Sequence, residues 1–139
     1  MTVPAEYERA SAQFYAFLVD AKDTAGLWST HVTYTMIQGV FQTFRRRLST
    51  EEAVAFANVL PIALRALFVT DWDPHEERKA FTDRESMTAE VKALRGEHNF
   101  STDSAIRDTA QALRRHVNEE DFDRLLASLP EGAVDFWKP

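Results

Sequence analysis

Two clusters of basic residues are the best candidates in this sequence for binding a charged ligand. Arg45-Arg46-Arg47 and Arg114-Arg115-His116 each close an apolar helical pattern. Guanidinium groups bind phosphate and carboxylate oxygens through paired hydrogen bonds, so two such clusters side by side could hold a phosphate group. Cations in a last helical turn also complement the helix dipole and pair with carboxylates just beyond it, here Glu51, Glu52, Glu120 and Asp121. We favour this structural role and keep phosphate binding as the alternative.

Four aromatic residues lie at the ends of predicted elements, where a half-exposed ring can anchor a partner protein. They are Trp28, Trp72, Phe136 and Trp137. Trp72 and Trp137 could instead plug the ends of the core; this second role is favoured for Trp72, and both roles stay open for Trp137. The candidate interaction surface therefore combines the arginine clusters with two tryptophans: Arg45, Arg46, Arg114, Arg115, Trp72 and Trp137.

No residue pattern indicates catalysis, a metal or a cofactor. The sequence has no cysteine, and its four histidines lack the His-x-x-x-His spacing that sets two imidazoles on one helix face. The densest polar group, residues 71–77, is better explained by a short helix that starts at His75-Glu76-Glu77 after Pro74. Gly-x-Ser-x-Gly, Ser-x-x-Lys and glycine-rich phosphate motifs are all absent. We predict no catalytic residue, metal ligand or cofactor, although an active site assembled from distant residues stays open.

The composition indicates an ordered, acidic and helical protein. Of the 139 residues, 45% are hydrophobic and 27% charged, with only four Gly and five Pro but ten Phe. These values exclude a disordered chain and favour helices over a turn-rich β-sandwich. The net charge of −6 opposes binding to nucleic acid or an anionic membrane and suits a basic partner surface. Because no secretory signal or membrane-length apolar run is visible, we expect a cytoplasmic protein with neither a nucleic acid nor a membrane partner.

Apolar residues at three- and four-residue steps predict helices along the whole chain. Ser49, three residues before Glu52, predicts a capping box, and Pro61 predicts the start of a short helix. Asn118 is the predicted cap of a later helix. The predicted helices cover residues 4–20, 29–48, 49–60, 62–69, 83–94, 105–117 and 118–129, with a connector at 70–77 and a short last segment from Pro130 to Trp137.

The second half of the chain matches the first. A shift of 69 positions aligns residues 28–68 with residues 97–137 without a gap, with eight identities in 41 pairs. The identities include Arg45 with Arg114 and Leu60-Pro61 with Leu129-Pro130, and most other pairs keep polarity and cap position. A unit of three to four short helices buries too little surface alone. We therefore predict an all-α fold of two tandem repeats, residues 1–73 and 74–139, packed as one pseudo-twofold bundle domain.

Each half carries an arginine-ended helix, a Glu-rich cap and an apolar helix closed by Leu-Pro. With Trp72 and Pro74 after the first such unit, the chain resembles the bacterial domain-of-unknown-function family 2267, two-repeat helical proteins of about this length. The second half departs from the pattern, because its Trp-x-Pro, at Trp137-Lys138-Pro139, is shifted in position. The resemblance implies an all-α fold and no particular reaction.

These observations predict a non-enzymatic binding or scaffold module that acts through protein–protein interaction or as a homodimer. The alternative is a small-molecule or anion-binding protein, or an enzyme, with a pocket between the repeats that is lined by aromatics and entered past the arginines.

Overall fold

The computed structural model describes residues 2–139, and in this range the regular structure is nine α-helices and one 3-10 turn, with no strand. The all-α class is therefore confirmed. None of these helices has the length and apolar content that crossing a membrane requires. The helices are α1 (Ala5–Glu8), α2 (Ala10–Ala25), α3 (Thr30–Arg45), α4 (Thr50–Asn58), α5 (Ile62–Val69), α6 (Arg84–Ala93), α7 (Ala105–Arg114), α8 (Glu119–Ala127) and α9 (Ala133–Phe136), and the 3-10 turn is Gly96–His98.

Side-chain caps set where four of the helices begin. The hydroxyl of Ser29 accepts the Val32 amide at the start of α3. The capping box before α4 is confirmed: Ser49 accepts the Glu52 amide, and the Glu52 carboxylate accepts the Ser49 amide at 2.7 Å. Asp83 and Asn118 cap α6 and α8 in the same way. Because each cap satisfies an amide that the helix itself leaves free, these boundaries are local properties of the sequence.

The helix predicted to start at His75 is wrong. Residues 70–82 contain no helix. The Asp73 carboxylate accepts the His75 amide at 2.9 Å, and the Asp73 carbonyl accepts the Glu76 amide at 3.1 Å. An aspartate bonded to the amide two residues on forms a turn that competes with a helix. The Lys79 amide donates to the Arg46 carbonyl at 3.0 Å, which fixes the connector against the end of α3.

The core surrounds α3, which buries 12 of its 16 residues. Trp137 lies at its centre, with its indole stacked on Phe56 at 5.6 Å between ring centroids and edge-on to Phe44 at 5.4 Å. Phe41 and Phe122 contact the same indole. Aromatic pairs at these separations contribute beyond the area they bury. The last residues of the chain therefore complete the core.

The two halves of the chain pack against each other mainly through their long helices. The most extensive helix contacts are those of α2 with α7 and of α3 with α6, so each of these helices lies against a helix of the other half. The α3–α6 crossing is close: a Cβ at Gly39 would lie 2.7 Å from the Val91 carbonyl oxygen, which excludes any other residue there without a backbone shift.

Two pairs of helices correspond under a fixed shift along the chain. A shift of 69 places α4, Thr50–Asn58, on α8, Glu119–Ala127, residue for residue. A shift of 70 places the buried residues of α2, Phe17, Leu18 and Ala21, on those of α6, Met87, Thr88 and Val91. The overlay of residues 1–73 on residues 74–139 about a pseudo-twofold axis stays a prediction.

Candidate anion-binding cleft

An open cleft of about 300 Å³ lies between the end of α3, the start of α4 and the connector after α5. We call it the arginine cleft. Three of the predicted site residues, Arg45, Arg46 and Trp72, line it. The connector adds charged side chains from Asp73, Glu76 and Arg78.

Arg45 is the least exposed charged group of the cleft, with 3% of its surface accessible. Its Nη1 donates to the carbonyl oxygens of Phe68 at 2.8 Å and Thr70 at 3.0 Å, which ties the end of α3 to the end of α5. Its Nε is buried without an acceptor, and Nη2 donates to no atom of residues 2–139. The Nε–Nη2 edge of the guanidinium thus has unused donors. Burial lowers the pKa of Arg45 from its ordinary value, and Glu76 acts in the opposite direction.

Trp72 covers this guanidinium. The Arg45 Cζ lies 5.5 Å from the ring centroid, within cation–π distance. Trp72 is partly buried and packs against the core. Both roles foreseen for it are compatible with this position: the ring closes the end of the first half's core, and its edge lines the arginine cleft.

Arg46 and Arg47 find their partner on α6 and not on the nearby cap. Arg47, 2% exposed, donates to both carboxylate oxygens of Glu90, and Arg46 Nη1 lies 3.6 Å from the same carboxylate. Burial alone would raise the pKa of Glu90, but the hydrogen bond and charge of Arg47 outweigh it and lower that pKa. The predicted pairing with Glu51 and Glu52 is wrong, because the capping box holds Glu52 on the Ser49 amide.

The first turn of α4 borders the cleft and has unpaired backbone donors. Within the described chain, the capping box satisfies the Glu52 amide and Ala53 donates to the Ser49 carbonyl, whereas the amides of Thr50 and Glu51 have no acceptor. Ser49 and Thr50 line the cleft. Free amides at a helix start carry partial positive charge and favour an anion nearby. Arg78 approaches from the connector, where it donates to Glu52 at 3.2 Å.

Arg114 occupies the equivalent place in the second half, but its Nε and Nη1 both have acceptors. Its Nε donates to the Trp137 carbonyl at 2.9 Å, and its Nη1 to Glu119 at 3.1 Å and Asp123 at 2.9 Å. The ring of Phe122 lies beneath it, 5.3 Å from Cζ. Asp123 is not among the predicted partners, because the reach from α7 across α8 follows from helix packing. Glu120 and Asp121 do not pair with the cluster; Asp121 binds Arg124.

Arg115 and His116 bind Asp20 of α2. Arg115 donates to both carboxylate oxygens at 2.9 and 2.7 Å, and His116 Nε2 lies 2.8 Å from one of them. The hydrogen bond from Arg115 lowers the pKa of Asp20, against the opposing effect of burial, and the bond from His116 lowers it further. Arg114 and Arg115 are thus held by carboxylates and do not line the arginine cleft. The two clusters do not converge there.

Trp137 cannot present a docking surface as placed. Its ring is fully buried, so it has the plug role and leaves the set of surface candidates.

Sequence reasoning also missed Arg78, Glu90 and Asp20. A signal exists for the last two, since the 70-residue shift that aligns α2 with α6 pairs Asp20 with Glu90. Among residues 2–139, no three His, Asp or Glu side chains are grouped so that they could hold a metal ion.

Comparison with known proteins identifies one family. The model of DUF2267, described as an uncharacterized conserved protein, matches residues 14–136. No curated protein matches the chain.

Proposed function

The chain belongs to DUF2267, a family of uncharacterised conserved proteins, and because that membership carries no activity, we propose from the arginine cleft that it is a non-enzymatic binding module for a ligand with an oxyanion group. The ligand's carboxylate or phosphate oxygens bind Arg45, Arg46 and Arg78. This proposal takes the anion-binding alternative of the sequence and assigns it to the first arginine cluster alone.

The unused Nε–Nη2 edge of Arg45 carries the proposal. A buried donor without an acceptor costs about 1–3 kcal/mol, and the cost is larger for charged groups. Nη1 already binds two carbonyl oxygens, and the remaining edge carries two parallel N–H groups whose spacing matches two oxygens of a carboxylate or phosphate. Because Nε is buried, the guanidinium turns toward the cleft as the ligand binds. A bound oxyanion supplies the acceptors that residues 2–139 do not provide.

The charged side chains that line the cleft favour an anion, although the whole protein is negative. Three arginines line it against the two carboxylates of Asp73 and Glu76, while Arg46 and Arg78 also contact Glu90 and Glu52 outside the lining. The contacts of Arg46 with Glu76 and Glu90 are long, at 4.0 and 3.6 Å, so Arg46 can turn toward a ligand. The free amides of the first turn of α4 add to the positive potential.

Isothermal titration calorimetry with inorganic phosphate and with acetate, at low salt, tests the proposal. We expect saturable binding that weakens by about tenfold in Arg46→Gln, the loss of one charge-assisted hydrogen bond. Arg78→Gln weakens it to a smaller extent, because Arg78 is half exposed and shared with Glu52. Arg115→Gln is the matched control and leaves affinity unchanged, since Arg115 lies on Asp20 outside the cleft. Absence of saturable binding by either anion would refute the proposal.

Self-association is the second candidate function, and an exposed aromatic pair favours it. Trp28 is 67% exposed and Phe100 is 50% exposed, with their rings 5.1 Å apart in an edge-to-face arrangement. Large exposed aromatics are the residues that most often anchor protein interfaces. We infer that a second copy of the chain covers this pair.

Light scattering over a range of protein concentrations tests this candidate. A dimer that dissociates in Trp28→Ser supports it. Tyr15, which is similarly exposed, provides the control, because Tyr15→Ser leaves the dimer intact. A monomer at the highest concentration measured would exclude it.

A further inference from the structure

A second pocket, of about 160 Å³, lies between α2 and α5 and contains no residue of the arginine cleft. We call it the α2–α5 pocket. Its walls are mainly apolar, from Phe14, Phe17, Pro61 and Leu64, and its polar side chains are Gln13 and His116. It is more enclosed than the arginine cleft and differs from it in chemistry, since no charged carboxylate or guanidinium lines it.

The size of the α2–α5 pocket fits one ring. Apolar cavities of about 150 Å³ stay dry and accept a benzene-sized molecule. Phe17 and Leu64 are fully buried behind the pocket, while Phe14 is only partly buried. A ring that enters would therefore contact aromatic and aliphatic surfaces, which favours a flat apolar molecule over a charged one.

His116 supplies one directed hydrogen bond. Its Nε2 faces the Asp20 carboxylate, which Arg115 holds in its ionised form with two hydrogen bonds. Nε2 must therefore carry the proton and donate to Asp20, as in carboxylate–histidine pairs that fix a tautomer. Nδ1 binds no group of residues 2–139, so this ring nitrogen is available to a ligand. A single polar atom beside an apolar pocket selects a ligand with one hydroxyl, which can both donate and accept a hydrogen bond.

We propose that the α2–α5 pocket binds a small uncharged aromatic molecule that carries one hydroxyl donor, of the size of phenol. The ring packs among Phe14, Phe17 and Leu64, and the hydroxyl forms a hydrogen bond with Nδ1 of His116. This site is independent of the oxyanion site, so the two can fail separately.

The second half of the chain has a cleft in the position that corresponds to the α2–α5 pocket, and the two can be compared. The cleft between α6 and α9 has Arg84 at the position of Phe14 and Met87 at that of Phe17 under the 70-residue shift. It is larger, about 590 Å³, and is lined by Glu131 and Asp135. Arg84 donates to the Asp135 carbonyl at 2.6 Å. With a charged wall where the first half has an aromatic one, this cleft does not bind the ring.

Titration with phenol, toluene and benzoate, followed by two-dimensional amide NMR, tests the proposal. We expect saturable phenol shifts confined to α2, α5 and the turn after α7, with phenol about fivefold tighter than toluene because of the hydroxyl hydrogen bond. Benzoate does not bind in this pocket. Shifts that are absent, or that lie instead at the arginine cleft, would overturn the site. Equal affinity for phenol and toluene would overturn the role of His116.

Three variants test where the ligand binds. Ala63→Trp fills the α2–α5 pocket and abolishes phenol binding, whereas Ala66→Trp, on the exposed side of the same helix, leaves it unchanged. His116→Phe keeps toluene binding and removes the preference for phenol. If His116→Phe unfolds because Asp20 loses its partner, the pair of alanine variants still decides, since equal binding by both contradicts the proposal.

Discussion

Arg45 and Arg114 hold equivalent places in the two halves of the molecule and differ in what surrounds them. Each donates to a carbonyl near the end of its own half, Phe68 or Trp137, and these two acceptors are themselves 69 residues apart. Arg114 also binds two carboxylates, whereas Arg45 binds none and its Nε has no acceptor among residues 2–139. The duplicated bond supports the fold in both halves, and the proposed oxyanion site uses the difference between them.

The basic residues that follow Arg45 and Arg114 also differ between the two halves. Arg46 and Arg47 bind Glu90 of α6, and Arg115 and His116 bind Asp20 of α2, so each cluster ties its half to the other. Arg47 is buried, whereas its counterpart His116 is partly exposed and borders a pocket. The first cross-link is thus the more deeply buried of the two.

The largest expected change in stability comes from substitutions in the aromatic core. Trp137→Ala lowers the free energy of unfolding by about 3–5 kcal/mol, because it leaves a large cavity among five aromatic rings. Phe68→Ala, its equivalent, has a similar effect, and the exposed Trp28→Ala changes stability by less than about 0.5 kcal/mol. Urea unfolding followed by circular dichroism measures all three. A Trp137→Ala value as small as that of Trp28→Ala would contradict the assignment of Trp137 to the core.

Substitution of the two cross-linking carboxylates is expected to show a further difference between the halves. Glu90→Gln lowers the free energy of unfolding by about 2–4 kcal/mol, because it leaves the buried Arg47 without a counterion. Asp20→Asn costs about 1 kcal/mol, since Arg115 is half exposed and regains water. The same urea experiment compares them, and the order of the two values is the result that matters. If Asp20→Asn costs more, the first cross-link is not the stronger one.

The pH dependence of stability gives a smaller effect. The pKa values of Asp20 and Glu90 lie below their ordinary values of 3.8 and 4.5. The unfolded chain therefore binds protons that the folded chain does not, so the stabilisation is complete above about pH 5 and is lost as the pH falls through the folded-state values. Asp20→Asn flattens the acid side of the curve of unfolding free energy against pH. An unchanged slope in this variant would show that the Asp20 cross-link does not stabilise the fold.

The local features of the fold follow from sequence, and the long-range ones do not. The Ser49–Glu52 box and the α5 boundaries at Ile62 and Val69 were predictable because caps and proline act within a few residues. The helix predicted to start at His75 was based on charge alone, and it is absent because the Asp73 carboxylate forms a turn with the His75 amide. The pairs Arg47–Glu90 and Arg115–Asp20 span 43 and 95 residues and depend on how α2 and α6 pack across the halves. The first cluster was found as a candidate, but its difference from the second is visible only in these contacts.

Side-chain NMR of the arginine Nε–Hε groups during a phosphate titration tests the contrast between the halves most directly. The Arg45 Nε signal, which has no acceptor in the described chain, moves saturably as the oxyanion binds, while the Arg114 signal, held by the Trp137 carbonyl, stays in place. Equal movement of both signals, or movement of neither, would contradict a ligand site confined to the first half.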